Sequence, residues 1–467
     1  MTEITEARTL GELKKSNHQL LPVREELRRN LMMKLQTGDD AFPGVIGYED
    51  TVIPQLHNAI LSGQDIILLG ERGQAKSRII RSLTNLLDEW TPVLSDAPIP
   101  ENPFAPMSAQ ARKLLAEQGD KAAITWMHRD QRYGEKLATP DITIADLIGE
   151  VDPIKIAEGR YLSDDEALHF GLVPHSNRGI FAINELPDLA ERIQVGLLNV
   201  LEERDIQIRG HKIRLDLDLL IVATANPEDY TNRGRIITPL KDRYGAQIRT
   251  HYPQTTQEEI TIMKQEQRQL DLGEYKQTVP DFMAELVAEI TWQARRSPDI
   301  NQRSGVSVRA SVANYESLLA NALRRAIQTG EQDLAPRMSD LPFILPSLQG
   351  KLEFEAMEEG REEKTMERLF FDAIKAVFDR FTDEAEMEAL ALQFEEGVEA
   401  TTGESLASAE YEAIIKRLPG MDEAVDRLVP DASIAARASA VEFILEGLHI
   451  NQLLNKDRVA DGATFHI

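Results

Sequence analysis

Ile66-Ile67-Leu68-Leu69-Gly70-Glu71-Arg72-Gly73-Gln74-Ala75-Lys76-Ser77 is the stretch that decides the fold. Four consecutive apolar residues read as a short strand covered on both faces. Glycines follow at 70 and 73, then Lys76 and Ser77, and the stretch Arg78–Leu87 reads as a helix. A strand, a tight glycine turn and a helix start carrying Lys and Ser are the parts that cradle a nucleoside triphosphate. Backbone N–H groups face the phosphates, the Lys reaches the β- and γ-phosphates, and the hydroxyl holds Mg²⁺. Gly70, Glu71, Arg72, Gly73, Gln74, Ala75, Lys76 and Ser77 are therefore the expected phosphate-binding residues, with Ser77 also a metal ligand. Ala75 stands where the general pattern has Gly, and a negative φ is expected to accommodate its methyl group.

Outward from this loop, β-rich runs alternate with helical segments from Asp65 to about Pro253. That alternation marks an α/β layer with a largely parallel sheet. Gly179–Ile183 and Leu219–Thr224 are the other clear strands, both nearly continuous apolar runs. Before the loop, residues 1–40 read as charged and helical, Pro43-Gly44-Val45-Ile46-Gly47 breaks the pattern, and a helix is expected over 49–62. Between the first helix and the second clear strand lies a long excursion, with a helical piece at 109–118. Pro140–Ile144 and Gly159–Leu162 read there as irregular or β-hairpin insertions. From Thr255 the periodicity is helical, with segments expected at 256–270, 279–296, 307–328, 354–380, 384–399, 408–417 and 433–455. Thr401–Ser405 reads as a loop between two of these helices.

Two further strand ends carry polar groups. Ile180-Phe181-Ala182-Ile183-Asn184-Glu185 ends in a pair suited to ordering a Mg²⁺ shell (Asn184) and polarising an attacking water (Glu185). Asn184 occupies the position where such ATPases usually carry Asp; its carbonyl can accept from a metal-bound water but brings no negative charge, so slow hydrolysis is expected. Leu220–Asn226 is a buried strand ending in an amide that could orient the lytic water. Arg243 ends a short helix over 238–244, and Arg309 opens a helix after Gly305; either can stabilise charge developing on a γ-phosphate. His128-Arg129-Asp130 has the look of a kinase catalytic loop, but Glu135 occupies the place where that motif needs Asn.

Composition narrows the class. The 467 residues are 42% hydrophobic and 28% charged, as in ordinary globular protein. With zero Cys, disulfides and thiolate metal sites are excluded. No run has the length of a membrane span and Met1–Glu6 lacks a signal-peptide pattern, so a cytoplasmic protein is expected. The net charge of −26 argues against nucleic acid as a partner. Between Leu341 and Ile467 stand 27 Asp and Glu against 12 Lys and Arg, a net of −15, so the C-terminal region is the strongly acidic part.

On these residues the chain resembles the AAA+ ATPases, and within them the magnesium-chelatase subunit I and MoxR branch that carries an insertion in helix 2. Gly70–Gly73 is similar to the chelatase phosphate loop, and Ala75-Lys76 to the MoxR version. Arg178–Glu185 resembles the Walker B region of both. Gln194–Glu203 followed by Asp205–Arg209 resembles the helix and hairpin before sensor 1. The resemblance implies that Asn226 is sensor 1, Arg243 an arginine finger acting across a subunit interface, and Arg309 sensor 2. Val45, Ile46 and Gly47 would line the adenine. The implied fold is a P-loop AAA+ core with a parallel sheet, then an α-helical lid and an acidic α-helical C-terminal region. Its implied division is 1–40 (N-terminal helical segment), 41–253 (nucleotide-binding domain with insertions), 254–340 (lid) and 341–467 (acidic helical region). Residues near 151–177 would be the helix-2 insert. Also implied are ATP and Mg²⁺ as cofactors, a hexameric ring, and a protein client or a separate partner with a von Willebrand factor A domain. The activity implied is ATP hydrolysis that remodels a protein partner or assists metal insertion. Alternatives are a slowly hydrolysing, nucleotide-gated scaffold and a genuine metal-chelatase ATPase subunit.

Overall fold

Strict alternation of side chains along five strands builds the first half of the molecule. The computed structural model describes residues 7–16, 18–151, 168–202, 206–208, 211–213, 215–226, 235–269, 271–302, 304–355, 361–394, 397–459 and 462–467. The chain forms two compact units, one ending at His251 and one beginning at Tyr252.

In the first unit, β1 (Ile66–Leu69), β2 (Tyr133–Leu137), β3 (Gly179–Asn184), β4 (Leu219–Ala225) and β5 (Ala246–Arg249) form a parallel sheet in the order β5-β1-β4-β3-β2. Successive side chains of a strand point to opposite faces. Ile66, Leu68, Ile180, Ala182, Leu220 and Val222 accordingly share one core with the helices Val23–Thr37, Val52–Leu61 and Lys76–Ser82. Ile67, Leu69, Phe181, Ile183, Ile221 and Ala223 join a second core with Glu191–Glu202 and Thr238–Arg243. The sheet is covered on both faces, which is why its strands read as unbroken apolar runs. Each fully buried Ile or Leu stabilises the fold by roughly 1.5–3 kcal/mol. In register, Leu69 stands beside Ala225 and Leu137 beside Asn184, so the carboxyl ends of the strands form one polar edge.

Several local expectations are corrected. The helix after the glycine loop is α-helical only over Lys76–Ser82 and continues as a 3₁₀ turn over Leu83–Leu86. Within Pro140–Ile144, Thr143 is an N-cap rather than part of a hairpin. Its hydroxyl accepts from the Asp146 amide at 3.2 Å, and the Asp146 carboxylate accepts from the Thr143 amide at 2.8 Å. That reciprocal pair starts the short helix Ile144–Leu147. Gly149–Val151 pairs antiparallel with Leu168–Phe170, and the expected insertion at Gly159–Leu162 lies outside the described residues. Ile206–Ile208 and His211–Ile213 form a hairpin where one was anticipated.

The second unit opens with the helices Thr256–Glu266, Asp281–Arg296 and Val308–Thr329. Arg361–Phe381, Glu384–Ala391, Tyr411–Arg417, Met421–Leu428 and Ile434–Ile450 follow. One apolar cluster runs from Ile260 to Phe465, so the acidic stretch after 341 shares its core with the helices before it. That stretch is not purely helical. Ala400–Gly403, Gly462–His466 and Asn455–Val459 make a three-stranded antiparallel sheet in that order. The segment read as a loop at Thr401–Ser405 is mostly strand, and the last long helix stops at Ile450 instead of 455. Short Thr-rich runs become strands only when a partner some sixty residues away pairs with them, a non-local effect that local patterning does not carry. No helix among the described residues is long and apolar enough to cross a membrane.

Candidate functional site

The glycine loop is shaped by its neighbours. Gly70 donates its amide to the carbonyl of Ala225 at 3.0 Å, which ties the loop to the end of β4. A Cβ on Gly70 would lie 1.9 Å from the Thr250 hydroxyl oxygen and 2.3 Å from Gln74 Oε1, so only glycine fits. Gln74 is buried, and its Oε1 accepts from the Glu71 amide at 3.0 Å and from the Thr250 hydroxyl at 2.7 Å. Gly73 has φ 76°. Ala75 has φ 53° and ψ 13°, which overturns the expected negative φ: its methyl group is carried in the left-handed region. The geometry is forced because Ala75 is the cap residue from which the loop turns into the helix Lys76–Ser82. Lys76 is buried, and its ammonium donates to the carbonyl oxygens of Gly70 and of Glu71, the latter at 2.7 Å. Ser77, the second helical residue, is exposed at the helix start.

Behind the loop stand Val45, Ile46 and Gly47. Val45 is buried in the same core as Ile79 and Ile80 of the loop helix. Arg78 donates to the Gly44 carbonyl at 2.9 Å and so fastens this segment to the phosphate-loop helix. The Tyr48 hydroxyl reaches the carbonyls of His251 at 2.6 Å and of Gln74 at 3.0 Å. Burial pushes that hydroxyl well above its ordinary range, which keeps it a donor. Arg78, Tyr48 and Thr250 were not singled out from sequence, since each acts through a side-chain bond between distant segments.

Asn184 and Glu185 end β3 on the same polar edge. Glu185 has φ 55° and ψ 49°, an unusual conformation for a residue with a side chain. Its amide donates to the Thr224 hydroxyl oxygen at 3.0 Å, and that hydroxyl in turn donates to Asn184 Oδ1 at 3.3 Å. The Asn184 amide nitrogen donates to Oε1 of Glu135 on β2. Arg81, on the loop helix, grips the same carboxylate through Nε at 3.0 Å and a terminal nitrogen at 3.1 Å. Burial raises the Glu135 carboxyl, but Arg81, Tyr133 and Asn184 together hold it below the usual carboxylate range. Asn226 directly follows β4 and is buried.

The structure thus gathers Gly70–Ser77, Asn184, Glu185 and Asn226 at the carboxyl edge of β1, β3 and β4, the side of an open α/β sheet where ligands bind. It does not bring Arg243 to that edge: the Arg243 guanidinium donates to Pro239 of its own helix at 2.8 Å. Arg309 belongs to the second unit, exposed in the first turn of Val308–Thr329, with its amide donating to the Ser307 hydroxyl oxygen at 3.1 Å.

A five-stranded parallel sheet in this order, with a glycine loop after β1 and polar ends on β3 and β4, defines the P-loop ATPase fold of AAA+ type. Residues 156–241 match the sigma-54 interaction domain family. The chain is 27% identical over 259 residues to the magnesium-chelatase subunit ChlI of Nostoc sp., covering 54% of this chain and 63% of that protein. It is 25% identical over 330 residues to the ChlI subunit of Chlorella vulgaris, covering 65% of this chain and 86% of that one. Among solved structures, a complex of the magnesium-chelatase subunits BchI and BchD aligns at TM-score 0.36 and 18% identity, over 70% of this chain and 98% of that one. NtrX from Brucella abortus in complex with ATP aligns at TM-score 0.39 and 13% identity, over 79% of this chain and 65% of that one. In its sheet order and glycine loop the chain has the AAA+ ATPase fold, and in sequence it is similar to the magnesium-chelatase subunits ChlI.

Proposed function

We propose that the chain is a Mg²⁺-ATP-dependent ring ATPase that remodels a protein partner or assists metal insertion. The observation that carries this reading is the convergence of the glycine loop, Asn184, Glu185 and Asn226 on one edge of the sheet. The residues fit a nucleoside triphosphate: Gly70 leaves no room for a Cβ, and Lys76 is already held at the loop by two carbonyls that phosphate oxygens can replace. They also fit Mg²⁺, a hard cation held mainly through phosphates and one or two protein oxygens. Ser77 and Asn184 would hold it, with the Glu135 carboxylate one hydrogen bond away. Bound there, the metal would neutralise charge on the β- and γ-phosphate oxygens.

The chain's own residues do the remaining work. Lys76 and the loop amides bind phosphate, Glu185 takes the proton of the attacking water, and Asn226 orients that water. Arg243 acts across a subunit interface, which requires a ring, commonly a hexamer, with nucleotide between neighbours, and Arg309 acts as a sensor of the γ-phosphate from its own subunit or the neighbour's. Val45, Ile46 and Gly47 line the adenine. Residues 254–340 act as the lid, and the acidic region 341–467 follows it. The relatives are named as subunits, which supports a separate partner chain, and a von Willebrand factor A-domain protein suits that role.

The test is Mg²⁺-dependent phosphate release across protein concentration, with Lys76→Ala and Glu185→Gln beside wild type. Turnover that rises with concentration and vanishes in Lys76→Ala supports the ring ATPase. Glu185→Gln retains ATP binding and nearly abolishes turnover; an unaffected rate removes Glu185 from the role of base. Asn184 favours one other reading, a nucleotide-gated assembly scaffold with slow hydrolysis. ATP-dependent ring formation with negligible phosphate release would select it.

A further inference from the structure

An asparagine at the end of β3 presents two different faces. Its carbonyl oxygen can accept a hydrogen bond from a metal-bound water, whereas its NH₂ group would repel that water, and the two are interchanged by a flip of the amide. An aspartate has no such ambiguity and brings a charge as well. The chain carries, on the neighbouring strand, a group that answers both deficits. Glu135 on β2 accepts a hydrogen bond from the Asn184 NH₂ group, which turns Oδ1 to the opposite side, where it meets the Thr224 hydroxyl. Its carboxylate is itself oriented by a two-point contact with Arg81, at 3.0 and 3.1 Å. Arg81 lies four residues after Ser77 on the helix Lys76–Ser82, hence on the same face. The side chains of Glu135 and Arg81 are 22% and 64% exposed, so the pair sits at the rim of the site and not inside the core.

We infer that Glu135 is a positioning residue for the metal-nucleotide complex: by taking the Asn184 NH₂ group it leaves Oδ1, on the Thr224 side, as the atom Asn184 can offer a metal-bound water. It also places, one hydrogen bond away, a carboxylate where Asn184 has none, its charge partly offset by Arg81. The Asn184–Glu135 pair thus does jointly what a single aspartate does at this strand end. This inference rests on the ATPase reading. It makes an unusual demand: restoring an acidic residue at 184 sets two carboxylates against each other and does not improve the site while Glu135 is present.

The experiment measures Mn²⁺ affinity by electron paramagnetic resonance in the presence of AMP-PNP, together with AMP-PNP affinity in EDTA, for the full chain. Four proteins are compared: wild type, E135Q, N184D and N184D/E135Q. E135Q keeps one carbonyl able to accept from the Asn184 amide and from one Arg81 nitrogen, and removes the charge together with the second Arg81 contact; it is expected to weaken Mn²⁺ binding about tenfold, the size of a lost outer-shell partner. AMP-PNP affinity in EDTA stays at the wild-type value, which a merely structural role would not guarantee. N184D binds Mn²⁺ no better than wild type, and N184D/E135Q recovers wild-type affinity because the charge has simply changed strands. Unchanged Mn²⁺ affinity in E135Q, or an N184D that tightens binding equally with and without Glu135, overturns the inference. Wild type that fails to bind AMP-PNP at all overturns the ATPase reading instead, so the two failures are distinguishable. N184D/E135Q has the same side-chain sizes and pair charge as wild type, which keeps the test informative even if E135Q is unstable.

Discussion

Ala75→Gly tests the shape of the phosphate loop without touching its chemistry. Ala75 is held at φ 53° and ψ 13°, between the buried Gln74 and the buried Lys76. A residue with a Cβ pays about 1–2 kcal/mol for that left-handed conformation. Glycine removes the strain but gains freedom in the unfolded chain, which costs about 0.4–1 kcal/mol. The balance favours glycine by about 0.5–1 kcal/mol. Trp90 and Trp126 lie in the first unit and Trp292 in the second, so a W292F background makes tryptophan fluorescence report the first unit alone. With a urea dependence of about 2–3 kcal/mol per molar, the midpoint should rise by about 0.3 M in Ala75→Gly. A midpoint that falls by the equivalent of about 0.5–1 kcal/mol, the usual cost of glycine at an ordinary helical position, would refute the argument. It would mean that Ala75 takes a negative φ and that the loop differs from the one described.

Two further perturbations probe buried charge. Arg132 and Glu26 form a two-point ion pair at 2.6 and 2.7 Å with side chains 0% and 3% exposed, linking the 3₁₀ turn before β2 to the helix Val23–Thr37. Glu26→Gln should cost the first unit about 3–5 kcal/mol in urea unfolding, because it leaves the Arg132 charge buried; replacing both with Leu and Met should recover most of that loss. In the second unit, burial raises the Glu442 carboxyl above its ordinary value of 4.5, against the opposing pull of Arg337. The folded state therefore holds this proton where the unfolded state has lost it, and the group's contribution to stability falls as pH rises from about 4.5 through the raised value. Glu442→Gln should flatten the pH dependence of second-unit unfolding across that window, measured by Trp292 fluorescence; an unchanged slope would remove Glu442 as its source.

What the sequence disclosed follows from the range of the forces involved. β1, β3 and β4 were legible to within a residue or two because continuous apolar runs are local signals of a sheet covered on both faces. The glycine loop, Asn184, Glu185 and Asn226 were legible because each sits at the end of such a run. β2 was not: Tyr-Gly-Glu-Lys-Leu is half-polar, and it becomes a strand only by pairing with β3. Glu135 was consequently weighed only as a mismatch to a kinase motif, although it is the residue that touches Asn184. The sheet in the acidic region was hidden for the same reason, since Ala400–Gly403 finds its partner at Gly462–His466.

The positions that shape the phosphate loop illustrate how such non-local bonds tie binding to architecture. The Gln74 side chain is fixed by Thr250 and its carbonyl is reached by the Tyr48 hydroxyl, which also reaches the carbonyl of His251. His251 is the last residue of the first unit. The His251 ring is held as well, by the Thr51 hydroxyl at 2.8 Å and edge-on to Tyr48 at 4.8 Å. One hydroxyl proton is thus shared between the Gln74 carbonyl and the His251 carbonyl, and a rearrangement of Gln74 shifts it wholly to His251. The point where the chain leaves the α/β unit thus shares a hydrogen-bond donor with the phosphate loop, a relation set by side chains far apart in sequence.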